Sequence, residues 1–395
     1  MSNCGRGDMV QENRLFCTTY RGSWSNGKRK MVLLVKNDDG NLQEVKICGL
    51  SRAAATDDAA TICELLENVA EDPEFLRTVL KCKDACFGYT AFHWAAKYGS
   101  TEALEALLKY SAEFGSVHLS LNEGKPTVYS YSIEHKATTV SSLFTNDSPL
   151  HVACQNSKLD CVKLLVQHGM NPNQTNSLNQ TPLHFACERL DLQTIEYLVE
   201  GCKLNATHIN QRDSSCNSCD TPLFKVIRSK VKQGQSIKRQ GEDKVACIQF
   251  LLNHGADALT KGCYGATVIQ RATLTRQYDV LKAILDHLRE KYSPSETWDI
   301  LNHRNFTGIN QNYIPSKPSK SMSEKPLDLA LDDSLSSRKC VRTVQLLLSR
   351  GAKPSLKNFD QICRYNFLHY GIELNNIPAM SMKVEINSFT GKTMI

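Results

Sequence analysis

Long apolar runs are missing from this sequence. One of the longest, Met31 to Val35, falls far short of the roughly 18 to 20 residues that a bilayer span requires, and the first thirty residues hold no apolar core of the kind a secretory leader carries. Neither a membrane nor a secretory route is therefore expected. A large excess of one charge is also missing: 47 Lys and Arg face 41 Asp and Glu, a net +6, without the dense basic stripe of a nucleic-acid binder. No nucleophile elbow, phosphate-cradling loop, kinase signature or zinc-hydrolase helix is present. The chain is accordingly expected to be non-catalytic, with no cofactor, and to bind neither membrane nor nucleic acid.

What is present is an ordinary globular composition. With 41% hydrophobic and 22% charged residues over 395 positions, collagen, mucin and wholesale disorder are excluded, leaving two or three domains or one elongated array. Sixteen cysteines are scattered along the chain without a leader, which reads as thiols in a reducing compartment. The cytoplasm is the expected address, with the nucleus as an alternative, although Lys28-Arg29-Lys30 is a weak nuclear signal and Arg6-Gly7-Asp8 reads as a chance tripeptide.

One period organises the sequence. Ser148-Pro149-Leu150-His151-Val152-Ala153-Cys154 recurs 33 residues later as Thr181-Pro182-Leu183-His184-Phe185-Ala186-Cys187. About ten residues on, each copy carries a second apolar stretch, Cys161 to Val166 and Thr194 to Val199, and then a glycine, Gly169 or Gly201. Weaker copies stand at Tyr89 to Gly99, at Asp220-Thr221-Pro222-Leu223-Phe224, at Gly265 to Ile269 and at Lys325-Pro326-Leu327, each followed by a second apolar helix. Proline suits the first helical position, the Ser or Thr before it caps the helix, and the following Leu enters the core. The His and Thr side chains are expected to tie neighbouring turns. Apolar positions such as Ile248, Leu251 and Leu252 cannot be covered within one copy, so copies must stack.

Period and motif together resemble the ankyrin-repeat family. The resemblance implies an all-α ankyrin-repeat solenoid of about six repeats over 84–357, capped by a helix pair over 50–83, with a target protein held on the concave face and insertions. Motif positions 91, 149, 182, 222, 268 and 326 are separated by 58, 33, 40, 46 and 58 residues. Insertions are thus expected near 114–145, 228–244 and 293–323. The first is read as a hairpin or ordered loop. The second holds Arg228, Lys230, Lys232, Lys238, Arg239 and Lys244 and is read as a solvated loop; the third, rich in Asn, Ser, Pro and Lys, reads as flexible. Ahead of the array, residues 1–29 read as disordered, and Lys30 to Lys36 and Leu42 to Ile47 flank Asn37-Asp38-Asp39-Gly40, the pattern of an N-terminal β-hairpin over 30–49.

Metal chemistry has two candidates. His151 with Cys154 and His184 with Cys187 sit three apart on helices, but both pairs occupy the same repeat positions, which packing accounts for. Cys216-Asn217-Ser218-Cys219, with Cys202 and His208 upstream, offers one C-x-x-C without a second close pair. It is read as a cysteine-rich turn, and no metal is expected.

Beyond Pro354 the repeat pattern ends. Phe359, Cys363 and Phe367 recur every four residues with Ile362 beside them, one short apolar helical face, and Pro378 interrupts the segment that follows. This C-terminal helical box, residues 358–395, resembles a SOCS box. By that resemblance Phe359, Ile362, Cys363, Arg364 and Phe367 would enter a pocket of Elongin C, and Ile377-Pro378 would touch a Cullin; Met380 stands where the family pattern places a second proline. An ankyrin array followed by such a box resembles the ankyrin-repeat and SOCS-box family, which implies a substrate-recognition subunit of an Elongin-Cullin-RING ubiquitin ligase. The alternative is a non-catalytic ankyrin scaffold, or an inhibitor of a signalling or transcription protein, whose last helix is only a cap.

Overall fold

The computed structural model describes residues 19–25, 28–36, 42–45, 47–83, 89–113, 146–214, 219–229, 236–262, 265–302, 325–332 and 338–354. These are mostly helical and fall into two compact units, Met1–Ser177 and Leu178–Ile395. In the first unit, strands β1 (Thr19–Ser25), β2 (Lys28–Lys36) and β3 (Leu42–Val45) pair antiparallel in that order. β1 falls inside the segment that composition reads as disordered, and the turn residues Asn37 to Gly40 lie outside the described residues.

Helices α1 (Ile47–Ala55) and α2 (Ala59–Glu67) follow as an antiparallel pair. A third helix, α3 (Pro73–Lys81), was not anticipated from the sequence. Its signal was nonetheless there: Asp72 accepts from the main-chain N–H groups of Glu74 (3.0 Å) and Phe75 (3.1 Å), and Pro73 takes the first helical place. Next come α4 (Ala91–Tyr98) with α5 (Thr101–Glu113), and α6 (Pro149–Gln155) with α7 (Leu159–Gln167). First helices α1, α4 and α6 pack side by side in one layer, and α2, α5 and α7 form the other. Between the layers lie Phe92, Leu104, Leu107, Leu108, Leu150, Val162 and Leu165, all buried. No single pair could cover these side chains alone, which is why the pairs stack.

The second unit repeats the arrangement. Its first helices are α8 (Pro182–Arg189), α11 (Pro222–Arg228), α13 (Val268–Leu274) and α16 (Pro326–Asp332); its second helices are α9 (Leu192–Glu196), α12 (Ile237–Asn253), α14 (Tyr278–Lys291) and α17 (Arg338–Ser349). α9 runs into a π-helical turn, Tyr197–Gly201. Two further helices, α10 (Ala206–Ile209) and α15 (Pro294–Asn302), sit between pairs.

Each of these two helices ends in an asparagine that clips the following pair. Asn210 Nδ2 donates to the carbonyl of Gly255 (2.9 Å) while its Oδ1 accepts from the N–H of Asp257 (2.8 Å). Asn302 does the same with Gly351 (2.9 Å) and Lys353 (2.6 Å). Gly255, at φ 96°, adopts the left-handed turn that presents its carbonyl to the asparagine.

Two expectations about insertions need correction. Of the stretch 228–244, Arg228 belongs to α11 and Ile237 onward is helical. Lys244 is buried rather than solvated: its Nζ donates to the Ile227 carbonyl (3.1 Å) and Gln277 Oε1 (3.3 Å), and burial pulls the ammonium down to about 8. Likewise, residues Pro294–Asn302 are helical rather than flexible. Ser293 and Glu296 form a reciprocal cap, the Ser293 N–H donating to Glu296 Oε2 (2.9 Å) and the Glu296 N–H to Ser293 Oγ (3.3 Å). The tetrapeptide Ser-Pro-Ser-Glu carries that signal openly.

Candidate interaction surface

The repeat motif does its work through the imidazole. Thr181 donates its main-chain N–H to His184 Nδ1 (3.0 Å), and its hydroxyl also meets Nδ1 (2.9 Å). An N–H can only donate, so Nδ1 is the acceptor and the ring proton sits on Nε2. Nε2 then donates to the carbonyl of Asp220 (3.3 Å), the residue just before the next motif. The same geometry recurs at His93, which takes the Thr90 N–H (3.2 Å) and donates to the Asp147 carbonyl (2.8 Å). His151 takes the Ser148 N–H (3.1 Å). Each motif histidine thus closes its own helix start, and His93 and His184 also hold the next repeat. Cys154 and Cys187 are fully buried beside them, as packing positions should be.

Later motifs replace the imidazole. At α11 the position is Phe224, 1% exposed, and Thr221 Oγ1 is buried without a hydrogen-bond partner. The ring instead packs against Gly262, where a Cβ would lie 2.7 Å from Phe224 Cζ. Gly262→Ala is therefore expected to lower stability by about 2 kcal/mol, read as a reduced urea midpoint at unchanged slope. At α13, Gln270 Oε1 accepts from the Thr267 N–H (2.9 Å), performing the cap without a titratable ring.

A charge network underlies the turn between α8 and α11. Asp213 Oδ2 pairs with Lys225 Nζ (2.7 Å) and accepts from Gln180 Nε2 (3.2 Å), while its Oδ1 accepts from the Asp220 N–H (2.7 Å). The Asp220 carboxylate, fully buried, pairs with Arg228. Burial raises the Asp220 carboxyl above its usual range, opposed by Arg228 and Lys225. For His184, burial and then Lys225 pull the imidazole down to about 4, opposed by Asp213 and the carbonyls of Asp220 and Gln211.

What remains for a partner is the outer face of the first helices. In the first unit α4 offers Trp94, Lys97 and Tyr98; in the second, Glu188, Arg189 and Arg228 are exposed. The motif residues Pro149, Leu150, Pro182, Leu183, Pro222 and Leu223 are buried and hold the repeats rather than a ligand. Among the described residues no three metal-ligating side chains converge. Cys216 lies outside the described residues, Cys219 is half-buried, and burial raises the half-buried Cys202 thiol. Burial, with Asp57 and Asp160 nearby, likewise pushes the Cys161 thiol up to about 11. Phe359, Ile362, Cys363, Arg364, Phe367, Ile377 and Pro378 lie outside the described residues, as does the stretch 114–145. The aromatic-cationic cluster on α4 and the two asparagine clips were missed in the sequence.

Stacked helix pairs joined by such capping ties define a protein–protein interaction module. Residues 117–213 match the family model for ankyrin repeats in three copies, and residues 87–115 match that for a further ankyrin repeat. Residues 87–115 and 117–213 are thus ankyrin repeats. No curated protein matches it. Among solved structures it is similar to the ankyrin repeat domain of human ASB11, at 18% identity and a TM-score of 0.46, over 78% of this chain and 99% of that one. It is also similar to an ankyrin repeat domain from Acinetobacter baumannii AYE, at 20% identity and a TM-score of 0.42, over 60% of this chain and 96% of that one. No described helix is long and apolar enough to cross a membrane.

Proposed function

We propose that this ankyrin-repeat protein is the substrate-recognition subunit of an Elongin-Cullin-RING ubiquitin ligase. The repeats hold a target protein, while residues 358–395 form a helical box that recruits Elongin B and C and a Cullin. The chain itself performs no chemistry; ubiquitin transfer belongs to the RING subunit and its conjugating enzyme. One observation carries the reading: the order Phe359, Ile362-Cys363-Arg364, Phe367, Ile377-Pro378 comes directly after the last repeat. An ankyrin array explains target binding alone, whereas this order of residues supplies a reason for a second partner.

Co-purification of Elongin B and C with the full chain tests it. Binding is expected with the intact chain and is expected to drop at least about tenfold when the chain ends at Lys357 or when Cys363 and Phe367 are made polar, since buried anchors dominate such interfaces. Absence of both Elongins from the intact chain at native salt would leave a plain ankyrin scaffold whose final helix is a cap.

A further inference from the structure

On α4, Trp94, Lys97 and Tyr98 stand at i, i+3 and i+4, and so share one face. Tyr89, in the turn just ahead of the helix, reaches the same place. Lys97 Nζ lies 4.8 Å from the centroid of Trp94, 5.7 Å from that of Tyr98 and 5.8 Å from that of Tyr89. Trp94 and Tyr98 are stacked, 5.9 Å apart and 10° from parallel, while Tyr89 meets Trp94 edge-on at 5.7 Å and 76°. Three aromatic rings therefore surround one ammonium. A ring face is the negative end of the aromatic quadrupole, so rings gathered within about 6 Å of one point favour a cation there.

Tyr89 also stacks on the motif histidine His93, 5.3 Å apart and 9° from parallel, and is anchored by it; packing of the repeat does not account for Trp94 and Tyr98. The buried side of α4 is formed by Ala91, Phe92, His93, Ala95 and Ala96, and Tyr98 is 53% exposed, the large apolar side chain left exposed among the described residues. An aromatic held at the surface beside an aromatic-flanked cation belongs to recognition more readily than to the core.

We propose that Tyr89, Trp94 and Tyr98 form a binding site for a lysine ammonium presented by a partner protein, with Lys97 as the resting intramolecular occupant. The ligand's chemistry follows from what sits there, an ammonium on a four-carbon stem. Methylation of the incoming lysine strengthens the contact, because methyl groups spread the charge over a surface that prefers aromatic carbon to water. A carboxylate on the ring faces is disfavoured for the same electrostatic reason. Lys97 must swing into solvent before the partner enters, so the apparent affinity is reduced by the fraction of time the site is occupied from within. The site is independent of the Elongin reading, whose residues all lie beyond Lys357.

The test uses the full chain, with N-acetyl-lysine methylamide, its trimethylated form and tetramethylammonium as probes, followed by tryptophan emission and calorimetry. The trimethylated probe is expected to saturate, and Lys97→Ala is expected to tighten it by about tenfold. Tyr98→Ala, at an exposed position that spares the fold, is expected to weaken it about tenfold, and Trp94→Leu to abolish the emission change, with thermal melts checking that each variant folds. No saturable response from folded Lys97→Ala protein, or a response that Tyr98→Ala leaves unchanged, overturns the proposal. So does binding of an acidic peptide that Lys97→Ala removes while the cationic probes stay silent, which would assign Lys97 itself to an anionic partner.

Discussion

Replacement of His184 by glutamine is expected to abolish one proton's worth of acid sensitivity, whereas replacement by alanine is expected to cost about 3 kcal/mol at neutral pH. The imidazole is 1% exposed and satisfies two buried main-chain groups, the Thr181 N–H and the Asp220 carbonyl. Alanine leaves both unpaired, at about 1 to 3 kcal/mol each, and opens a cavity. Glutamine retains an acceptor for the cap, as Gln270 does for Thr267, so its cost is expected to be about 1 kcal/mol.

The pH dependence has a definite sign. In the unfolded chain the imidazole titrates near 6.5; folded, burial and Lys225 hold it down to about 4. Below about 6.5 the unfolded state therefore binds the extra proton first, and stability contributed by the neutral ring is lost as pH falls from about 6.5 to 4. A shift of this size corresponds to at most roughly 3 kcal/mol. Urea midpoints taken between pH 7.5 and 4 for wild type and His184→Gln should diverge in that window and run parallel above it. Parallel curves throughout would mean that the ring titrates alike in the folded and unfolded chain.

Asp213→Ala is expected to be the second most damaging change, at about 3 kcal/mol. Its carboxylate is fully buried and receives three donors: Lys225 Nζ, Gln180 Nε2 and the Asp220 N–H. Lys225, 12% exposed, would be left as a nearly buried charge without its paired carboxylate, only the Asp220 carboxylate, already paired with Arg228, remaining nearby. Removing one member of a buried pair typically costs about 3 to 5 kcal/mol, chiefly through the charge left behind. The double variant Asp213→Ala with Lys225→Met should accordingly recover more than about 1 kcal/mol over Asp213→Ala alone. Thermal and urea unfolding of the three proteins checks this, and strict additivity of the two changes would show that the pair is not coupled.

Much of the fold was legible because proline, threonine and histidine act locally. Thr181-Pro182-Leu183-His184 announces a helix start by chemistry confined to four residues, and its recurrence gave the stacking. The far end of each histidine was only half legible, since the acceptor of His184 lies 36 residues on and belongs to a carbonyl, which no side-chain pattern marks. α3 and α15 carry readable caps, Asp72-Pro73 and Ser293-Pro294-Ser295-Glu296; the first is hidden by the pairing of helices that the repeat pattern implies, and the second by the Asn, Ser, Pro and Lys content of 293–323. Lys244 shows the opposite failure: a charged residue in a basic stretch reads as solvated, and only three-dimensional placement supplies the Ile227 carbonyl and Gln277. The spacing of Trp94, Lys97 and Tyr98 was visible. Its meaning was not, because cation recognition depends on ring orientation and on Tyr89, which lies before the helix.

The tie from His184 to Asp220 has a direction, and it ends where Phe224 stands. Behind that point the second unit has a phenyl ring seated on Gly262 in place of the imidazole, and then an uncharged glutamine that caps only its own helix. A proton can therefore attack the leading seam of this unit and find nothing to titrate at the two motif positions that follow directly, Phe224 and Gln270. Mild acid would unzip the stack from one end, freeing α8 and α9 while the later pairs persist as a block. Cooling or urea, which weaken apolar seams, would begin instead at the other end.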